Sequence, residues 1–149
     1  MTSSPKFVHL NVHTEYSLSE GIARIKELAT EAHSAGMPAV AMTDINNLYA
    51  AVKFYRSCLN AGVKPLFGVE LTLGAVTPVD PGGKIILLCM NNRGFKGVSE
   101  LLTQLYTQPR EGRELVASLN QIESVADDVI ALTGFDGAIG GLIRSGHVS

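Results

Sequence analysis

The sequence predicts an α/β fold in which a mostly parallel sheet is flanked by helices. Segments with the pattern of strands and segments with the pattern of helices alternate about five times along the chain. Most strand segments are continuously apolar, which is typical of strands that helices cover on both faces. The chain has 149 residues, 46% of them hydrophobic, enough for one ordinary domain with a core. Two architectures stay open, a doubly wound open sheet and part of a (β/α) barrel.

The first predicted elements are a strand over residues 7–13 and a helix that follows it. Residues 7–13 alternate along the strand, so that one face carries Phe7, His9, Asn11 and His13. The helix is predicted from apolar residues at helical spacing, which are Ile22, Ile25, Leu28, Ala29 and Ala32. Gly36 and Pro38 end this helix, because glycine allows a left-handed cap and proline prevents continuation.

The middle of the chain predicts two further strands around a second helix. Residues 39–43 form a short apolar run that indicates a buried strand, and the polar residues 44–47 form a loop after it. The second helix ends at Gly62, and its candidate buried residues are Tyr49, Val52, Phe54, Tyr55 and Leu59. A third strand covers residues 64–73, and residues 74–83 form a loop because they contain two prolines and three glycines.

The rest of the chain predicts two further strands and three helical segments. Residues 84–90 indicate a fourth strand, and residues 94–106 a third helix with a buried stripe of Val98, Leu101, Leu102 and Leu105. Residues 115–125 have weaker helical spacing, and residues 129–133 indicate a fifth strand. Residues 137–144 predict one more short helix.

Charge and composition exclude several classes of function. The net charge of −2 gives no general affinity for nucleic acid, which needs clustered positive charge. The longest wholly apolar run, residues 85–90, is far shorter than the ~20 residues of a membrane span, and no signal sequence is expected at the start. The two cysteines, Cys58 and Cys89, predict buried thiols in a reducing cytoplasm, without a disulfide framework or a catalytic thiol.

Three potential metal ligands follow successive predicted strands. They are His13, Asp44 and Glu70, and His9 and Asn11 share the face of His13. Ligands bind at the carboxyl ends of strands in α/β folds. Imidazole and carboxylate groups there suit Zn or Mn, which could activate water for phosphate-ester hydrolysis. The alternative interpretations are a hydrogen-bonded histidine, an aspartate that forms a turn or caps a helix, and a glutamate in an ion pair.

Several segments, in the same order, resemble the PHP (polymerase and histidinol phosphatase) domain family. Within it they resemble the amino-terminal region of bacterial replicative polymerase alpha subunits. The segments that carry the resemblance are 7–17, 36–44, 52–55, 62–70, 91–95 and 130–134. The resemblance covers nearly the whole chain and implies a distorted (β/α) barrel with seven βα units and metal sites at the strand ends.

The resemblance also implies that this chain has lost part of the family's metal site. The family's ligand positions that keep a potential ligand are His13, Asp44 and Glu70. The positions where another residue replaces a ligand are Asn11, Ile45 and Phe135. An isoleucine and a phenylalanine cannot coordinate a metal, and losing several ligands lowers affinity steeply. The expected site is therefore degenerate, with no cofactor in this chain, and the Mg of polymerisation belongs to the parent polymerase.

The expected role is that of a scaffold in a larger polymerase. The resemblance implies that the chain contacts the rest of the alpha subunit and is a docking surface for the proofreading exonuclease (epsilon) subunit. It implies DNA contact only through the parent protein, no membrane contact and a cytoplasmic location. The alternative is an active metal-dependent phosphoesterase of the histidinol-phosphatase type, which would use Mn or Zn.

The length of the chain predicts an incomplete barrel. Barrels of this kind usually exceed ~200 residues, so residues 1–149 are expected to be the amino-terminal portion of a PHP domain, with about five of its seven βα units. Either the sheet then stays open and the fifth strand exposes an apolar edge, or a second copy covers that edge.

Overall fold

The computed structural model describes residues 7–18, 20–75, 82–108, 115–134, 137, 140–141 and 143, which form an α/β fold with a mixed sheet flanked by helices. The chain divides into two compact units, residues 1–67 and residues 68–149. No helix in the described part of the chain is long and apolar enough to cross a membrane.

The first unit contains two helices and a parallel pair of strands. Its elements are α1 (Ile25–Ser34), β1 (Ala39–Met42), α2 (Ala51–Ala61) and the first residues of β2 (Lys64–Leu73). The β1–β2 pairing is parallel, in a register that runs from Ala39–Lys64 to Met42–Phe67. The two helices pack against each other, and the core consists of Ile25, Ala29, Ala32, Val40, Met42, Ala50, Phe54, Cys58 and Val63.

The predicted helix ends of this unit are confirmed. Gly36 and Gly62 have φ angles of 70° and 72°, the left-handed region that glycine enters without a steric penalty. At the end of α2, the Gly62 N–H donates to the carbonyls of Cys58 and Leu59 and so satisfies the last turn.

The predicted strand over residues 7–13 is wrong, because these residues form an extended segment without regular strand pairing. Two backbone hydrogen bonds join the segment to the chain at β1, from the Ala41 N–H to the His9 carbonyl (2.8 Å) and from the Thr43 N–H to the Val12 carbonyl (3.0 Å). The Val12 N–H donates to Thr43 Oγ1 at 2.9 Å instead of to a carbonyl. A side chain therefore takes the place of a backbone acceptor, and the ladder is interrupted.

The predicted buried face of α2 is also wrong for four of its five residues. Phe54 is fully buried, whereas the others are between 48% and 69% exposed; these are Tyr49, Val52, Tyr55 and Leu59. The helix buries the narrow stripe of Phe54 and Cys58, which lie four residues apart. Ile22 is 96% exposed and precedes the first residue of α1. Apolar spacing therefore did not identify which stripe of α2 faces the core. The stripe predicted for the third helix is confirmed, because its four residues are buried; these are Val98, Leu101, Leu102 and Leu105.

The second unit contains the rest of β2 and five further helices and strands. They are β3 (Gly83–Cys89), α3 (Asn92–Thr107), β4 (Val116–Ala117), α4 (Leu119–Glu123) and β5 (Val129–Leu132), with a 3₁₀ turn at Ala126–Asp128. The helix predicted over 115–125 is thus only partly helical. In the short helix predicted over 137–144, residues 140, 141 and 143 are helical, and four of the eight residues lie outside the described part of the chain.

The sheet is mixed, so the predicted mostly parallel sheet is wrong. β1 and β4 pair with β2 in parallel, whereas β3 pairs antiparallel with both β2 and β5. Residues 74–82 connect β2 to β3, and a parallel crossover needs about a dozen or more residues. The short connection therefore requires an antiparallel neighbour.

β5 is an edge strand among the described residues, where it pairs only with β3. Val129 is buried, but Ile130 is 50% exposed. An apolar side chain is therefore exposed on this edge strand.

Both cysteines are free thiols, and burial raises the pKa of each to about 11. Cys58 is buried in the first unit and Cys89 is half-buried at the end of β3. Their burial and raised pKa support the prediction that neither thiol is a catalytic nucleophile.

An uncharged thiol reagent at pH 8 is expected to label the folded chain ~10–100-fold more slowly than the urea-unfolded chain, because a raised pKa leaves few thiolates. The Cys58→Ser variant assigns the remaining rate to Cys89. A cysteine that reacts in the folded chain at the unfolded rate would contradict this prediction.

Candidate functional site

The candidate site of the first unit is centred on Asp44, which follows β1 and is fully buried. Its Oδ1 accepts hydrogen bonds from the Thr14 N–H (2.6 Å) and from Ser17 Oγ (2.6 Å), and its Oδ2 accepts one from Thr14 Oγ1 (2.7 Å). All three partners are donors, so they suit an ionised carboxylate. The buried charge is therefore balanced by donors from residues 14–17.

The turn at residues 14–17 is tightly placed. The Ser17 N–H donates to the Thr14 carbonyl, and the Glu15 N–H donates to the Ala23 carbonyl, each at 2.9 Å. A Cβ on Gly21 would lie 1.9 Å from the Thr14 carbonyl oxygen. Only glycine allows this close approach of the two backbone segments.

Asn11, where the resemblance implies a replaced ligand, accepts a hydrogen bond from the side chain of Thr43. Thr43 Oγ1 donates to Asn11 Oδ1 at 2.7 Å and is itself the acceptor for the Val12 N–H. Asn11 and Thr43 therefore connect the extended segment to the residue that precedes Asp44.

Asn47 organises the loop after Asp44. Its Nδ2 donates to the carbonyls of Tyr16 (3.1 Å) and Ile45 (2.9 Å), and its Oδ1 accepts from the Tyr49 N–H (3.1 Å). The half-buried Ile45 donates its own N–H to Ser17 Oγ at 3.2 Å. The sequence analysis missed Asn47, although an asparagine shortly before a helix is a signal for such a turn.

An exposed ion pair joins the same turn to α2. Lys53 Nζ lies 2.6 Å from Glu15 Oε1 and 5.5 Å from the ring centre of Tyr16. The hydrogen bond from Lys53 lowers the pKa of Glu15, and the same bond raises the pKa of Lys53. The pair is exposed, so its role is to orient the turn rather than to supply much stability.

Glu70 belongs to the second unit, where it is almost fully buried in β2. Lys84 Nζ lies 3.0 Å from Glu70 Oε1. The residue opposite Glu70 on β3 is Ile86, so Lys84 lies two residues further along on the same face. The ion pair was one of the alternative interpretations of Glu70.

These contacts do not suit a metal ion. Both oxygens of Asp44 already accept short hydrogen bonds, and Glu70 lies against an ammonium group. Among the described residues of each unit, no three histidine, cysteine or carboxylate side chains come together as a metal site. His13 is half-buried and immediately precedes Thr14, and Phe135 lies outside the described residues.

A family model of the PHP domain matches residues 9–148 of this chain. Among curated proteins, the chain is 36% identical over 142 residues to DNA polymerase III subunit alpha of Pseudomonas aeruginosa, covering 95% of this chain and 12% of that protein. The subunit of Vibrio cholerae is 34% identical, with 97% and 13% covered. The subunit of Escherichia coli K12 is 32% identical, with 96% and 12% covered. The chain thus spans about an eighth of the length of these relatives.

Two solved structures share the fold. One is a putative metal-dependent phosphoesterase from Bifidobacterium adolescentis, and the other is an amidohydrolase from Chromobacterium violaceum, solved with sulfate and no metal. Each superposes with a TM-score of 0.52 at 17% sequence identity and covers 66% of this chain and 32% of the other. At this identity the likeness concerns the fold alone.

Proposed function

The chain belongs to the PHP domain family, and we propose that it is the PHP region of a replicative DNA polymerase III alpha subunit, in which it acts as a scaffold. The family match and the similarity to alpha subunits along nearly the whole chain support this assignment. The relatives are much longer than this chain, so polymerisation, its Mg and the contact with DNA are assigned to the parent protein.

The observation that carries the scaffold role is the internal pairing of the carboxylates. Thr14 and Ser17 occupy both oxygens of Asp44, and Lys84 neutralises Glu70. A divalent ion would have to displace these partners before it could activate water. The proposed region therefore has no cofactor and no hydrolytic step of its own.

We assign two partners to this scaffold. The first is the rest of the alpha subunit, and the open edge of β5 with its exposed Ile130 suits a continuing sheet. The second is the proofreading exonuclease (epsilon) subunit, which would dock on this region. Both partners act in replication, so a cytoplasmic location follows from the proposal.

A binding experiment tests the docking role. The 149-residue chain is mixed with the exonuclease subunit of the same organism and examined by sedimentation velocity. A one-to-one complex is the expected result. Two species that sediment independently at micromolar concentration, with the exonuclease itself active, would reject the docking role.

The second candidate function is a metal-dependent phosphoesterase that uses Mn or Zn. The retained residues His13, Asp44 and Glu70 favour it. An assay with a chromogenic phosphodiester and MnCl₂ separates the two candidates, and the scaffold role predicts no turnover above buffer. Stoichiometric Mn or Zn binding, or turnover that the His13→Ala change removes, would favour the phosphoesterase.

A further inference from the structure

Residues 11–17 are held at the end of β1 mainly by side chains. The extended segment 7–13 has two backbone hydrogen bonds at β1, and the side chains of Thr43 and Asp44 add hydrogen bonds to the N–H groups of Val12 and Thr14. Backbone groups that lie away from water need partners, so these side chains replace a missing strand ladder.

We propose that Asp44 is a structural anchor whose buried carboxylate, held by Thr14 and Ser17, fixes residues 11–17 to β1 without a metal ion. In a metal site, a cation would neutralise the carboxylate and join ligands from separate segments of chain. At Asp44, three uncharged hydrogen-bond donors stabilise the carboxylate instead, and they belong to residues that lie 27 and 30 positions away.

The hydroxyl groups of Thr14 and Ser17 each donate one hydrogen bond and accept another. Thr14 Oγ1 donates to Asp44 and accepts from the Tyr16 N–H at 3.2 Å, whereas Ser17 Oγ donates to Asp44 and accepts from the Ile45 N–H at 3.2 Å. The carboxylate orients each hydroxyl, and the hydroxyl in turn holds a backbone N–H group, that of Tyr16 or of Ile45. Thr14 and Ser17 are positioning residues in this arrangement.

The inference deepens the proposed function, because a metal-free anchor is a specific form of the degenerate site. It also predicts coupling, since the hydroxyl groups act through one carboxylate. Removing Asp44 should abolish most of the effect of removing either hydroxyl, whereas independent contacts would give additive losses.

The test is a set of chemical unfolding curves for Asp44→Asn, Thr14→Val, Ser17→Ala and their combinations, each with EDTA and with MnCl₂ or ZnCl₂. Asp44→Asn removes the charge at nearly constant shape and is expected to raise the unfolding equilibrium constant ~100-fold or more. Ser17→Ala should raise it ~10-fold in the wild-type background but much less in Asp44→Asn. Thr30→Val is the matched control, because the Thr30 hydroxyl is exposed and donates to the carbonyl of Lys26 on its own helix.

Hydrogen exchange provides a second measurement if Asp44→Asn does not fold. The Thr14 amide, which donates to Asp44 Oδ1, is expected to exchange slowly in the native chain and faster in the milder Ser17→Ala variant. Additive losses, an Asp44→Asn variant as stable as wild type, or a rapidly exchanging Thr14 amide would overturn the anchor.

The unfolding curves with EDTA and with added metal distinguish a failure of the anchor from a failure of the proposed function. Neither EDTA nor added metal is expected to shift the unfolding midpoint of the wild-type chain. A midpoint raised by stoichiometric metal would overturn both the anchor and the metal-free scaffold. If metal does not shift the midpoint but the stability losses of the variants are additive, the anchor alone is overturned.

Discussion

Replacing Gly94 by alanine is expected to lower the free energy of unfolding by about 2–4 kcal/mol, although alanine is the better helix former. A Cβ at Gly94 would lie 2.1 Å from the backbone carbonyl oxygen of Asp128. The Cβ would meet a backbone carbonyl, so rotation of a side chain cannot relieve the contact. The start of α3 and the residues before β5 would have to separate.

The same separation would break the hydrogen bonds that join the start of α3 to Asp128. Asn91 caps α3 by accepting the N–H groups of Arg93 and Gly94, and its Nδ2 donates to Asp128 Oδ1 at 2.8 Å. Arg93 also donates to Asp128, through Nη2 at 3.0 Å. The hydrogen bond from Asn91 lowers the pKa of Asp128, so that pKa should return toward its usual range in Gly94→Ala.

Urea unfolding followed by circular dichroism measures the loss, and NMR titration follows Asp128. Gly134→Ala is the control, because a Cβ there has no neighbour within 4 Å among the residues that the structure describes. Its stability should stay within about 0.5 kcal/mol of wild type. Equal stability of Gly94→Ala and Gly134→Ala would show that α3 does not approach Asp128 in this way.

Replacing Phe54 by alanine is expected to cost the first unit about 3–5 kcal/mol. Phe54 is fully buried in the core and meets Phe67 edge to face, with ring centres 5.9 Å apart. The change removes apolar contacts and leaves a cavity that the packed helices α1 and α2 cannot fill. Denaturant unfolding monitored by circular dichroism gives the difference.

Val52→Ala is the matched control for Phe54, because Val52 lies on the same helix and is 65% exposed. Its effect should stay within about 0.5 kcal/mol. Similar losses for both variants would mean that α2 also buries the Val52 face, as its apolar spacing predicts. The comparison therefore tests the orientation of α2 directly.

Elements with strong local signals could be predicted from the sequence. The strand predicted over residues 64–73 coincides with β2 (Lys64–Leu73), and α2 ends where Gly62 adopts a left-handed conformation. These signals lie within a few residues of each element, since capping and apolar runs are local properties. The same holds for β1, β3, α3 and β5, whose bounds differ from the prediction by one or two residues.

The candidate site was only partly predictable. Position and residue type singled out Asp44 and Glu70, and the resemblance added the positions where ligands are replaced. The partners that define their chemistry, Thr14 and Ser17 for Asp44 and Lys84 for Glu70, are 14–30 residues away in the chain. No local pattern identifies such partners, because strand pairing and the turn at residues 14–17 create the contacts.

The order of most elements, the helix ends and the family can all be inferred from the amino-acid sequence. Backbone preferences and apolar spacing depend on residues that are close in the sequence. A family resemblance depends only on which motifs occur and in what order. The tertiary structure alone decided that residues 7–13 form no regular strand, that β3 is antiparallel, and that α2 buries Phe54 but not Val52. It also decided that Asp44 accepts hydroxyl and amide donors. These features depend on which distant surfaces meet, and packing and hydrogen bonding between those surfaces select one arrangement from several that the local pattern allows.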